Sequence, residues 1–130
     1  MHEGHQDKAL ENLATEVIGH SIQVHKKLGP GLLENAYKEC LLYELHKNNL
    51  YAQKEVMMPL VYEEVKLDAG YRIDILVENK LVIELKAVDA LNDVHLAQIL
   101  TYLKVGNFKF GLLMNFNVKM LKHGIRRVIL

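Results

Sequence analysis

The chain has 130 residues, half of them apolar and a quarter charged, the length and composition of one globular domain spanning residues 1–130. Sixteen basic residues cancel sixteen acidic ones, so bulk charge gives no grip on a polyanion. A lone cysteine, Cys40, excludes an intramolecular disulfide framework and a Cys-based zinc cluster, and no apolar run approaches the roughly 18 residues of a membrane span.

Met1 to Asp7 is polar and carries no apolar signal region, so a loose terminus and a cytoplasmic, soluble domain are expected. Leu10, Leu13, Ala14, Val17, Ser21, Val24, His25 and Leu28 recur at helical spacing and predict a helix over residues 8–28. Gly29-Pro30-Gly31 stops it. A second helix is expected over residues 32–47, with Leu33, Ala36, Tyr37, Cys40, Leu41 and Leu45 on its apolar face. Cys40 then belongs to the core and is not a nucleophile.

The middle of the chain reads as strands. Residues 52–64 are rich in Val, Met and Tyr, with Pro59 as a kink or an edge marker. Asp68-Ala69-Gly70 is a turn. Residues 71–77 and 81–87 form a hairpin around Glu78-Asn79-Lys80. A third helix is expected over residues 91–105, with Leu96, Ile99, Leu100 and Leu103 inward. Strands follow at residues 108–115 and 124–130. The order predicts an α/β (α+β) domain, with helices against a mixed sheet.

The hairpin carries the chemistry. A three-residue loop sets Val77 against Leu81, so opposing residue numbers sum to 158 and Asp74 faces Glu84. Alternation puts Tyr71, Ile73, Ile75, Val77, Leu81, Ile83, Leu85 and Ala87 on one face. Arg72, Asp74, Leu76, Val82, Glu84 and Lys86 share the other. Two carboxylates about 5 Å apart repel by on the order of 3 kcal/mol at an effective dielectric near 20. A shared proton, Lys86, Arg72 or a divalent cation must compensate. Hard oxygen ligands on two strands suit Mg²⁺ or Mn²⁺, with water positions left for a phosphate. Lys86 on the same face can orient a water or stabilise phosphate charge. The same residues also suit a solvated hairpin face, with Lys86 in a surface ion pair of little worth. Spacing alone leaves both readings open.

Asp74 followed by Glu84-Leu85-Lys86 resembles the D…(D/E)xK signature of the PD-(D/E)XK nuclease superfamily. Gly31-Leu32-Leu33-Glu34-Asn35-Ala36-Tyr37 resembles the GxxExxY motif of a small bacterial and archaeal family within it, the GxxExxY proteins. The resemblance extends from about Thr15 to Leu130 and includes Gly124-Ile125-Arg126-Arg127. It implies a restriction-endonuclease-like core and Mg²⁺-dependent cleavage of phosphodiesters, mostly in DNA. Asp74 and Glu84 would be metal ligands, with the Leu85 carbonyl a third. Lys86 would be the catalytic lysine, and Glu34 the extra acidic residue that reaches the metal directly or through water. Ile73 stands where the superfamily's name has Pro, a position that varies across it. The alternative is a non-catalytic nucleic-acid-binding or regulatory module that keeps the fold.

Other positions carry weaker signals. Glu34 also suits the helix dipole and a surface pair with Lys38. Tyr37 suits a packed residue whose hydroxyl finds a partner. His95, Gln98 and Tyr102 share a face of the third helix, and Gln98 with Tyr102 resembles the QxxxY element of exonuclease-like branches, beside metal or DNA. His2 and His5 lie in the loose terminus, and His20 and His25 are badly spaced for one face, so no histidine metal site is read. Lys26-Lys27 suits a solvated helix end. A domain of this size has little room for a recognition element, which points to a homodimer or a partner protein. The zero net charge hides a split. Residues 1–93 hold all sixteen acidic groups and ten basic ones, net −6, whereas residues 94–130 hold six basic groups and no acidic one, net +6. A positive surface beside an acidic pocket suits a phosphodiester substrate.

Overall fold

The computed structural model describes residues 2–68 and 70–130, with side chains from Lys8 onward. Met1 of the expected loose terminus and Ala69 of the expected turn lie outside the described residues. Helix α1 runs His2–Leu28, beginning ahead of the expected Lys8. Each residue added to an existing helix brings one more backbone hydrogen bond, so polar residues can prolong it without an apolar face. Ala14, Val17, Ser21, Val24 and His25 are its buried side. The Ser21 hydroxyl donates to the Val17 carbonyl (2.8 Å), and His25 Nε2 lies 3.1 and 2.8 Å from the carbonyls of Phe116 and Val118.

Gly29 and Gly31 take φ of 68° and 102°, which L side chains rarely adopt. Helix α2 follows at Glu34–Lys47, with Leu33 as an extended N-cap that is 81% exposed. Its buried stripe is Tyr37, Leu41 and Leu45. Cys40 is exposed, which corrects the expected core position. Each i to i+4 step rotates by about 40°, and the stripe turns away from Cys40.

Strand β1 (Ala52–Met57) ends before Pro59. Beyond it β2 (Leu60–Tyr62) and β3 (Val65–Leu67) form a separate two-stranded sheet, every residue of which is exposed. Proline lacks the ladder donor, and here it divides the expected single strand. Strands β4 (Arg72–Val77) and β5 (Leu81–Lys86) form the expected hairpin, with Ile75 on Ile83 and Val77 on Leu81. Glu78 and Asn79 both have positive φ, 53° and 56°, as in the tight turns that suit the twist of hairpin strands.

Helix α3 (Asp93–Gly106) leads into β6 (Phe110–Asn115), which pairs parallel to β5. A 3₁₀ turn at Leu121–Gly124 precedes β7 (Ile125–Ile129). The main sheet has the order β1-β4-β5-β6-β7 and is mixed. One face packs Val17, Tyr37, Leu41, Leu45, Ile75, Ile83, Leu112 and Phe116 with α1 and α2. The other packs Leu76, Val82, Ile99, Tyr102, Leu103 and Leu113 beneath α3. The face that carries the charges is therefore covered, and the solvated-face reading fails.

Two further expectations are corrected. Leu96 is 38% exposed, whereas Tyr102, placed with the polar face, is 5% exposed and joins the core. Ile73, which alternation groups with Ile75, packs with the α3 side. The register sets Glu55 across from Asp74, and Glu55 has left-handed backbone (φ 53°), which disturbs the pleat at that rung.

Candidate active site

The β4–β5 ladder runs only from Val77·Leu81 to Ile75·Ile83. One rung further the strands are joined through side chains instead. The N–H of Asp74 donates to Glu84 Oε1 at 3.1 Å, and the N–H of Leu85 donates to Asp74 Oδ2 at 2.8 Å. One oxygen of each carboxylate thus replaces a carbonyl in the ladder, and the other is uncommitted to the backbone. The sequence accounts for this placement: Ile75, Val77, Leu81 and Ile83 anchor the hairpin in the core, and the charged residues lie where the strands part.

Glu84 is 3% exposed, and burial, then the charge of Asp74, pushes its carboxyl up to about 8. Burial also raises Asp74, against the Leu85 N–H and the charges of Lys38 and Lys86. Both carboxyls are pushed toward the protonated form, the direction in which a shared proton would relieve the repulsion. Arg72 is not the counter-charge, because its Nη1 turns to Asp68 Oδ1 (3.3 Å).

Lys86 Nζ donates to Gln98 Oε1 (3.2 Å), and Gln98 Nε2 donates to the Tyr102 hydroxyl (3.2 Å). The phenol is raised by burial and by the Glu84 charge. Gln98 and Tyr102 are thereby joined to the hairpin. His95 instead completes a capping box with Asn92 at the start of α3. Glu34 opens α2, and its carboxyl is raised by the surrounding protein and by Asp74, against the pull of Lys86 and Lys38.

Tyr37 stands apart from this cluster. It is fully buried against Phe116, ring centroids 4.8 Å apart. Its hydroxyl donates to the Gly29 carbonyl (2.6 Å) and accepts from the Leu32 N–H (3.1 Å). It closes the glycine turn that delivers Glu34.

Two contributors escaped the sequence reading. Lys38, read there only as the partner in a helix-surface pair with Glu34, has a side chain 12% exposed and sits 3.7 Å from Glu55. Asn115 is 2% exposed; it accepts from the N–H groups of Val88 and Asn117 and donates to the Val88 carbonyl, fixing the chain that leaves β5. Only the left-handed Glu55 opposite Asp74 signals Lys38, and backbone angles are invisible in sequence. The six basic residues of the C-terminal segment are divided. Lys119, Lys122 and Arg126 lie toward the sheet end of Lys86, Arg127 sits in mid-strand across from Leu112, and Lys104 and Lys109 lie toward the other end.

Among the described residues no three His, Cys, Asp or Glu side chains gather as a metal cluster. Two carboxylates plus main-chain oxygen nevertheless fit a Mg²⁺ site, which keeps several waters and takes one or two carboxylates. Two adjoining carboxyls that burial pushes up form a donor set whose repulsion a divalent cation relieves. No described helix is long and apolar enough to cross a membrane.

A protein-family model described as the PD-(D/E)XK nuclease superfamily matches residues 11–128. Searches of curated proteins and of solved structures return no match.

Proposed function

We propose that this chain, which belongs to the PD-(D/E)XK nuclease superfamily, is a Mg²⁺- or Mn²⁺-dependent nuclease that hydrolyses phosphodiester bonds, in DNA rather than RNA. The observation that carries the reading is the reciprocal bonding of Asp74 and Glu84 at the point where β4 leaves β5. The restriction-endonuclease-like architecture, a mixed sheet between helices, supports it.

Asp74, Glu84 and the Leu85 carbonyl would hold the cation, and Glu34 would reach it through water. When bound, the cation supplies Lewis acidity toward the phosphate and acidifies a water. The chain's own residues do the rest. Lys86 donates hydrogen bonds to the attacking water or to a phosphate oxygen. Gln98 holds the lysine head at one place, so less orientation is lost when substrate arrives. The Tyr37 hydroxyl fixes the turn that sets the position of Glu34. The cytoplasm is the proposed location, and a second copy or another protein would extend the recognition surface.

The test is a Mg²⁺/Mn²⁺ cleavage panel on single-stranded, duplex and branched DNA, with RNA alongside. Chelation and Glu84→Ala are expected to abolish cleavage. Undiminished cleavage by Glu84→Ala or Lys86→Ala, with contaminating nuclease excluded, overturns the assignment.

A further inference from the structure

Beside the carboxylate pair lies a cavity of about 420 Å³ between α3 and the segment joining β1 to β2, lined by Met58, Pro59, Tyr71, Ala97, Gln98 and Tyr102 among others. It shares two residues with the site. Gln98, which bonds Lys86, and Tyr102, which bonds Gln98, belong to both. Tyr71 is 47% exposed and meets Tyr102 edge-on, centroids 6.5 Å apart and planes at 64°. Apart from Gln98, Thr101 and the two tyrosine hydroxyls, the lining side chains are apolar, and the Thr101 hydroxyl donates to the Ala97 carbonyl of its own helix (2.9 Å).

We propose that this cavity seats one unstacked nucleobase of the strand whose phosphate lies at Asp74 and Glu84, so that the substrate is single-stranded or opens at the point of cleavage. The inference rests on the nuclease reading and deepens it. A base has two apolar faces and a polar edge, and the cavity offers apolar walls, an exposed phenol ring and an amide beside a hydroxyl. Aromatic rings hold bases of any sequence because every base has a π-face. The volume falls in the range of small-molecule pockets, far below what a stacked duplex needs. A nucleotide with its phosphate beside Lys86 has its base within reach of Gln98, because that amide touches the lysine. A paired base would have to leave its stack to enter, as in enzymes that act on flipped bases.

The experiment uses a short DNA strand carrying 2-aminopurine, with Ca²⁺ in place of Mg²⁺ for binding and Mg²⁺ for cleavage. Ala97→Phe fills the cavity from an exposed helix position, and Tyr71→Ala removes the exposed ring; neither touches the carboxylates. The expected results are a change in 2-aminopurine emission on binding that Ala97→Phe abolishes, and binding about tenfold weaker for Tyr71→Ala. An abasic nucleotide at the seated position is expected to slow cleavage by wild type but to add nothing to the defect of Ala97→Phe. If both variants, folded as judged by circular dichroism, bind and cut as wild type does, the cavity proposal fails and the nuclease reading stands. If the emission change and its loss in Ala97→Phe appear without any cleavage, the base site stands and the nuclease reading fails. If the strand neither binds nor is cut, both fall.

Discussion

Glu84 accepts the backbone N–H of Asp74 at 3.1 Å, while Asp74 accepts the N–H of Leu85 at 2.8 Å. The two acids are thus held in place by the strands that carry them, and neither can leave without stranding a backbone donor. Their positions are set before any cation or substrate arrives, which is the preorganisation that catalysis by charge requires.

Stability should depend on pH through this pair. The folded Glu84 carboxyl sits at about 8, against 4.5 as its ordinary value. Between those values the folded chain holds more protons than the unfolded one. The contribution is therefore full below pH 4.5 and is lost as pH rises through about 8. Asp74, also raised, adds in the same direction. Glu84→Gln removes the titrating group, so its melting temperature relative to wild type should climb across this window. Parallel melting curves for the two proteins at every pH would contradict the burial account.

Cation binding should follow the opposite slope. The ligands must lose their proton first, so Mg²⁺ is expected to raise the melting temperature more above pH 8 than near pH 6. Asp74→Asn and Glu84→Gln should both erase the Mg²⁺ shift. A Mg²⁺ shift that survives in Glu84→Gln places the cation elsewhere.

Lys86→Ala should separate binding from chemistry. The lysine bonds Gln98 and neither carboxylate, so the Mg²⁺ shift in melting temperature is expected to remain. Cleavage should fall by about 10²–10³-fold, the usual cost of one lost donor to developing charge. Equal losses of cation binding and cleavage would assign Lys86 a structural role.

Lys38→Met removes a cation whose charge lowers both Glu34 and Asp74. The site becomes more negative, so Mg²⁺ affinity should hold or rise while KM for DNA rises severalfold. Lys38→Arg should restore KM. Weaker Mg²⁺ binding in Lys38→Met runs against this picture.

Tyr37→Phe keeps the ring on Phe116 but strands the Leu32 N–H and the Gly29 carbonyl. A loss of about 1–3 kcal/mol of stability is expected, measured by urea unfolding. Cleavage by the folded fraction should fall as well, since the hydroxyl touches neither carboxylate but holds the turn that positions Glu34.

Much of this architecture is local and was therefore legible in the chain. Periodicity and the glycine–proline stop marked α1 and α2, and the apolar alternation with a three-residue loop fixed the register that sets Asp74 toward Glu84. Those features depend on neighbours a few residues apart, which sequence records directly. Several others depend on packing between distant segments. The cover of α3 over the charged face turned two ordinary surface carboxylates into a buried Glu84 beside a half-buried Asp74, both pushed toward the protonated form. The rotation of α2 left Cys40 outside and carried Lys38 inward toward Glu55. Tyr102 became buried and, with Tyr71, a wall of the cavity, because the break at Pro59 brings Met58 and Leu60 alongside α3. Sequence determined which acids could meet. Only the tertiary structure decided how dry their meeting place is, because desolvation is set by what lies across the sheet and not by what lies along the strand.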